Sequence, residues 1–437
     1  MQENNYLTNN FKLIYFSLFS LGLFLSYWYA THQIVDGDIT QMLDKGYYGF
    51  YTGEWSSYGN AASVVGNVPG SLLAFVVGLP LFVVDSPWAP MGFLIFLHAA
   101  SFFLLDNIVK NIFNSQIRLV FLVIYWLNPW FLFENILYNP SYLFFFSALH
   151  LWTAFKLKEQ KSFIYSFLHV LSIGMAMQLH YSWIILAIMS AVLLYKNTVK
   201  VNWYGVIFGF AVIVISLIPY LQEFMQNEAI RSNEGNKDGE RYIGWGGVHV
   251  YPVLKSFLYW LRYGSFIFTN KLITGADFDW LTTSTLLQQI LKYTYQAILF
   301  AVGAFTLWIS FKANKYFYTQ VKGTFFSRFS PSIENKEWLL VYTLSALIGV
   351  FISAVLSPIV FNYWHLLIIF PFALIPFLLF VDMFHIDKIN KYFAPALVYV
   401  LFVSFVASID SKKFSLNVDY SEQITQYLQN NNFKESQ

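Results

Sequence analysis

Asp36 and Asp38 flank a glycine in "IVDGDITQML", the stretch from Ile34 to Leu43 just past the first long apolar run. Two carboxylates this close can do general acid and base work if partial desolvation raises one pKa towards the working range. Gly37 lets the backbone turn sharply between them. Ile39, Met42 and Leu43 follow at helical spacing, and Lys45 with Gly46 reads as a stop signal, so a short interfacial helix is expected. On this reading Asp38 is the N-cap, accepting hydrogen bonds from the first-turn amides. Asp36 has no such task and is the favoured proton acceptor, against the plain alternative of a solvated loop acid.

The chain around this pair has the composition of a membrane protein. Of 437 residues, 57% are hydrophobic, 21% aromatic and only 11% charged, against about a quarter charged in soluble domains. A net charge of +2 is too small to point to a nucleic-acid partner. The absence of cysteine excludes internal disulfides, thiolate metal sites and a cysteine nucleophile. The expected fold is an all-α polytopic membrane protein of about eleven transmembrane helices, with interfacial helices in the first outer loop. The first apolar stretch, Phe11 to Ala30, is expected to stay as a span rather than be cleaved as a signal peptide.

Pro69 to Val84 is apolar but short and carries Gly70, Gly78 and Pro80, so it reads as an interfacial helix. That choice sorts Lys110, Arg118, Lys156, Lys196, Lys200, the loop from Lys312 to Lys336, and Lys391 onto one face. The positive-inside rule makes that face cytoplasmic, with the N-terminus inside and the C-terminus outside. The expected organisation is then a transmembrane module at 1–221 with its first outer loop at 31–86, and an outer loop with an interfacial helix at 222–293. Further spans at 294–409 and an outer polar tail at 410–437 complete it. Phosphate-cradling glycine loops and dinucleotide fingerprints are missing, so chemistry has to be built at the outer face.

Ionisable groups inside spans are costly, which makes Glu134, His98, His150, His169, His180 and His365 stand out. A neutral ring satisfied by a neighbour explains His98, His150 and His169. His180 and His365 lie near outer span ends and are the better candidates, together with Glu134. Their spacing matches no metal-binding pattern, so a divalent metal is left open and none is predicted. In the large loop Pro252 is expected to open a helix that places Lys255, Tyr259 and Arg262 on one stripe. Those cations, with Arg241, suit a phosphate at the membrane surface, although snorkelling to lipid headgroups explains them equally well.

One long helix, an acidic pair opening a short helix, then Glu54 and "GNVPGSLLAFVVGLPLFVV" resembles the first half of the GT-C membrane glycosyltransferases. Lipid A aminoarabinose transferases and protein O-mannosyltransferases are the relatives in view. "ENILYNPSYLFFF" is similar to the family's second outer turn, with Asn139 before Pro140 where the aminoarabinose enzymes carry an acid. "MAMQLHYSWIILAI" is similar to the break between spans five and six, with His180 in place of their lysine. The resemblance implies a catalytic base at Asp36 or Asp38. It also implies transfer of a sugar from a polyprenyl-phosphate donor to a glycan, lipid or protein acceptor, at the periplasmic face of a bacterial inner membrane. Two rival readings are a transporter or flippase of lipid-linked sugars and an O-antigen polymerase or ligase. The first calls for paired repeats with interrupted helices, or acids near the bilayer midplane, and the sequence shows neither clearly. The second does not explain an acidic pair directly after the first span.

Overall fold

The computed structural model describes residues 10–61, 66–227, 230, 250–265, 275–330, 332–357, 361–384 and 389–431, and Arg241 lies outside them. The described chain is mostly helical, with one short two-stranded hairpin. In order come α1 (Phe11–Thr31), the first-loop helices α2 (Gly37–Thr52) and α3 (Leu72–Gly78), then α4 (Trp88–Ile112) and α5 (Ser115–Phe121). Next are α6 (Leu143–Glu159), α7 (Phe163–Met177), α8 (Trp183–Tyr195) and α9 (Trp203–Gln226). α10 (Val250–Tyr263), α11 (Thr285–Val321), α12 (Asn335–Val355), α13 (Ile375–Phe384), α14 (Ile389–Ile409) and α15 (Tyr420–Asn430) follow.

Among the described residues seven helices are long and apolar enough to cross a membrane, the pattern of a multi-pass membrane protein. They are α1, α4, α9, α11, α12, the run Tyr363–Phe384 that ends in α13, and Lys391–Ile409 of α14. Other expected spans are shorter: α7 has 15 residues and α8 has 13. α5 passes through a π turn at Leu122–Trp126 and stops at Asn128, whose side chain accepts from the Trp130 amide at 3.0 Å. Polar caps thus cut apolar sequence into pieces that hydropathy alone reads as continuous.

The first loop shows how sequence sets packing here. α2 buries Ile39, Met42, Leu43, Gly46 and Tyr47 as one stripe and lays it on α3. The helix does not stop at Lys45 and Gly46. It runs on to Thr52 and ends at Gly53, whose left-handed backbone (φ 77°) is the usual glycine terminator. Gly46 instead lets α3 approach, since a Cβ there would meet the Val77 Cβ at 2.4 Å. α3 and its 3₁₀ extension Leu79–Phe82 are too short to span, and a two-stranded antiparallel hairpin, Tyr58–Ala61 with Asn67–Pro69, lies beside them.

α10 is helical from Val250, so Pro252 falls inside its first turn rather than opening it. Its buried face carries Tyr259, Trp260 and Tyr263, and Trp260 Nε1 donates to Asn314 of α11 at 2.8 Å. The helix is therefore packed into the bundle and does not merely rest on it. His98, His150 and His169 have protein partners at every ring nitrogen. Ser190 Oγ bridges His150 and His169, at 2.9 Å from each.

The tail at 410–437, read as polar, is ordered over its described part. Phe414 pairs with Gln33 in an antiparallel bridge, and Tyr420, Ile424 and Leu428 of α15 are buried. Gln423 brackets the start of the first loop, accepting from the Val35 amide at 3.0 Å and donating to the Gln33 carbonyl at 2.9 Å.

Candidate active site

α2 begins at Gly37, so the N-cap position belongs to Asp36, and Asp38 lies in the first turn. Neither carboxylate caps the helix. Asp36 turns instead to Lys413 of the C-terminal segment and forms an ion pair with it, while its Oδ1 is buried without a hydrogen-bond partner among the described residues. The expected division of labour, with Asp38 occupied by capping and Asp36 free, is therefore reversed. Asp38 is solvent-exposed, its carboxylate has no hydrogen-bond partner among the described residues, and its backbone carbonyl accepts from Asn60 Nδ2 at 3.1 Å. Desolvation at the face of the bundle raises the Asp38 pKa above the usual carboxylate value; the Asp36 charge adds to this and Lys413 opposes it.

Glu134 sits in the turn that precedes the 3₁₀ segment Asn139–Tyr142, fully buried. It accepts from Ser141 Oγ at 2.9 Å, and its Oε1 has no partner among the described residues. The Lys413 charge reaches Glu134 as well as Asp38. The charges of all three acids reach Tyr138: burial first, and then Asp38, Glu134 and Asp36, push its phenol well above its ordinary range. That hydroxyl keeps its proton and can only donate or accept a hydrogen bond at neutral pH.

The other candidates extend from this cluster around the same end of the bundle. The Glu134 charge reaches Tyr263 of α10 and Tyr363, and Tyr263 donates to the Tyr363 carbonyl at 2.8 Å. Next to them Lys255 Nζ lies 3.5 Å from Asn362 Oδ1, and Arg262 lies over the Tyr259 ring at 5.4 Å. Burial and the neighbouring Arg262 lower the Lys255 pKa. His365 accepts from the Asn362 amide at 2.9 Å, and its ring centre is 5.7 Å from that of His180. Asn139 closes the circuit by donating to the Leu179 carbonyl, next to His180, at 2.8 Å. Burial lowers His180 to about 4, so its ring is neutral at pH 7.

Asp36, Asp38, Glu134, Asn139, His180, Lys255, Arg262 and His365 thus gather at one end, although up to 329 positions separate them in sequence (365 − 36). Glu54 is not among them. It follows the end of α2, so about fourteen residues of helix, roughly 20 Å, separate it from Asp38. Among the described residues no three His, Asp or Glu side chains are grouped to hold a metal ion. Sequence reading missed Lys413 and Tyr138. A signal for the lysine was present, because Lys412 and Lys413 stand in a tail assigned to the face that ordinarily carries few cations.

The assembled site has a carboxylate open to solvent, a buried second acid, a phenol under the charge of both, and the cations Lys413, Lys255 and Arg262. That set can accept a proton, orient a hydroxyl and neutralise an anion. Comparison of the chain with protein-family models, with curated proteins and with solved structures gives no match.

Proposed function

We propose that the chain is a multi-pass glycosyltransferase of a bacterial inner membrane that uses a polyprenyl-phosphate sugar at the outer face. The observation that carries this reading is the convergence of Asp36, Asp38 and Glu134 with Lys413 and the α10 cations at one end of an apolar bundle. Acids alone would suit many hydrolytic or binding roles. Acids facing cations beside membrane-embedded helices suit a lipid-held phosphate as leaving group.

In the reaction Asp38 takes the proton of the acceptor hydroxyl. The oxygen bonds to the anomeric carbon as the bond from that carbon to the phosphate oxygen breaks. The electron pair leaves on the lipid phosphate, whose growing charge is met by Lys255 and Arg262. Asp36 holds Lys413 beside the base. The short helices that hydropathy counts as spans complete about eleven crossings in this reading, with the N-terminus in the cytoplasm.

The test is direct. Purified protein in lipid nanodiscs is incubated with polyprenyl-phosphate sugars, release of polyprenyl phosphate is followed, and glycans of a deletion strain are compared by mass spectrometry. Donor consumption that disappears in Asp38→Asn supports the reading. No consumption of any such donor, with unchanged glycans in the deletion strain, defeats it.

A further inference from the structure

The chemistry above leaves one built feature of the first loop unused. A groove of about 500 Å³ lies at the C-terminal end of α2, between that helix, residues 54–58 and the last turns of α9. Tyr48, Trp55 and Tyr58 line it together with Asp44, Glu54 and Glu223. Trp55 has a prepared seat. A Cβ on Gly49 would meet Trp55 Cε3 at 2.5 Å and one on Gly78 would meet Cζ3 at 2.6 Å, so two helices carry glycine where the indole lies. Phe75 fixes the indole further with an edge contact at 5.0 Å between ring centres.

Among the described residues each carboxylate is held by one hydroxyl: Glu54 by Tyr48 at 2.8 Å, Glu223 by Ser57, and Asp44 by Tyr427. A carboxylate has about four acceptor positions, so each keeps capacity for a ligand donor. Lys45 also lines the groove and lies over the Tyr58 ring at 5.5 Å, supplying a donor. Among the described lining residues three acids stand against one ammonium, a net negative surface that repels a phosphate. The donor's head therefore does not belong here. Aromatic faces beside many acceptors fit a ligand with apolar C–H faces and many hydroxyls, which is the surface of a sugar.

Asp38, Gln41, Lys45 and Tyr48 follow one another at i, i+3, i+7 and i+10, on one face of α2. The groove therefore opens on the same helical face as Asp38, about 15 Å along the axis. A single sugar cannot span that distance, whereas an oligosaccharide can.

We propose that this groove binds the saccharide chain of the acceptor, so that the substrate receiving the new sugar is an already built, uncharged oligosaccharide rather than a lone sugar or a peptide hydroxyl. The acceptor role rests on the glycosyltransferase reading; binding of a saccharide does not. Full-length protein in nanodiscs is titrated with neutral tri- to hexasaccharides, monosaccharides and tetralysine, with binding read by saturation-transfer NMR. An oligosaccharide is expected to bind, and Trp55→Ala and Glu54→Gln are expected to weaken it by about tenfold or more. Should Trp55→Ala fail to fold, the paired amide variant Glu54→Gln with Glu223→Gln gives the same answer without touching the indole.

No oligosaccharide binding, binding indifferent to these substitutions, or binding of tetralysine alone overturns the proposal. The two readings fail separately. Saccharide binding without donor consumption keeps the groove and removes the enzyme. Donor consumption with no saccharide binding keeps the enzyme and removes the groove.

Discussion

Lys413 and Asp36 form an ion pair across 377 positions of sequence, joining the C-terminal segment to the mouth of the first loop. Backbone bonds fix the lysine's surroundings on both sides, from the Ile34 amide to the Lys413 carbonyl and from the Ser415 amide to the His32 carbonyl, each 2.9 Å. Lys413→Met therefore removes the charge and leaves the strap in place. Asp36 is then left beside Asp38 and Glu134 without a counter-charge, and turnover of lipid-linked donor should fall about tenfold or more, with protein level and melting temperature near normal. Unchanged turnover would reduce the pair to a surface contact.

The strap itself is a stability element. Phe414, Tyr420, Ile424 and Leu428 are all buried, and Asp410 accepts from the Asp277 and Phe278 amides and from Trp280 Nε1 at 3.0 Å. Leu428→Ala should cost about 2–5 kcal/mol if its site cannot collapse. Thermal unfolding in detergent, compared with the exposed Leu416→Ala, checks it. Equal melting of the two variants would mean that α15 is not held by its apolar face.

Gly46 faces Val77 so closely that even a methyl group has no room, with the Gly78 amide nitrogen 3.1 Å from the same position. Gly46→Ala should push α2 off α3 and cost about 1–3 kcal/mol, the usual cost of overpacking. Gly37→Ala is the control, because nothing lies within 4 Å of a Cβ there. Comparable melting temperatures for the two would show that the helices separate without cost.

These contacts also show what can be read from sequence. The acidic pair after the first span, and the glycine and proline that shorten the segment after it, are local signals with local meaning. Their consequences, two short helices at the mouth of the bundle, are visible in composition and spacing. The partner of Asp36 is not local, because no periodicity relates residue 36 to residue 413. The strap had its own local signal: Tyr420, Ile424 and Leu428 repeat at four-residue intervals, and Asp419 accepts from the Glu422 amide at 2.9 Å as a helix cap. Average polarity concealed it. Asp38 does not cap because the helix starts at Gly37 and places the N-cap at Asp36, whose carboxylate turns from the backbone amides to a lysine that only tertiary structure brings near.

Ser190 is the common partner of two imidazoles, the buried one of His150 and the partly buried one of His169. Ser190→Ala leaves one nitrogen of His150, which is fully buried, and one of the partly buried His169 without its bond. The expected loss is about 1–2 kcal/mol of stability with little change in transfer, because the hydrogen bonds of the network involve none of the three acids. A large fall in turnover at unchanged stability would instead give the histidine pair a functional role.

The pH profile of transfer discriminates between the two aspartates. Desolvation at the face of the bundle raises Asp38 above the unfolded carboxylate value, so folding favours its protonated form. That small contribution to stability is present below about pH 3.9 and is lost as pH rises through the folded value. Activity moves the other way, because a base must be ionised, and the acidic limb of turnover should lie above about pH 4. Two neighbours act on it with opposite sign: Lys413 lowers the Asp38 pKa and Asp36 raises it. In Lys413→Met the acidic limb should therefore shift to higher pH, and in Asp36→Asn to lower pH. Asp38→Asn should abolish the limb and lower turnover by about 10²- to 10⁴-fold. If Asp36→Asn gives that loss while Asp38→Asn keeps a normal profile, the base is Asp36, and its ion pair with Lys413 must open in the working enzyme.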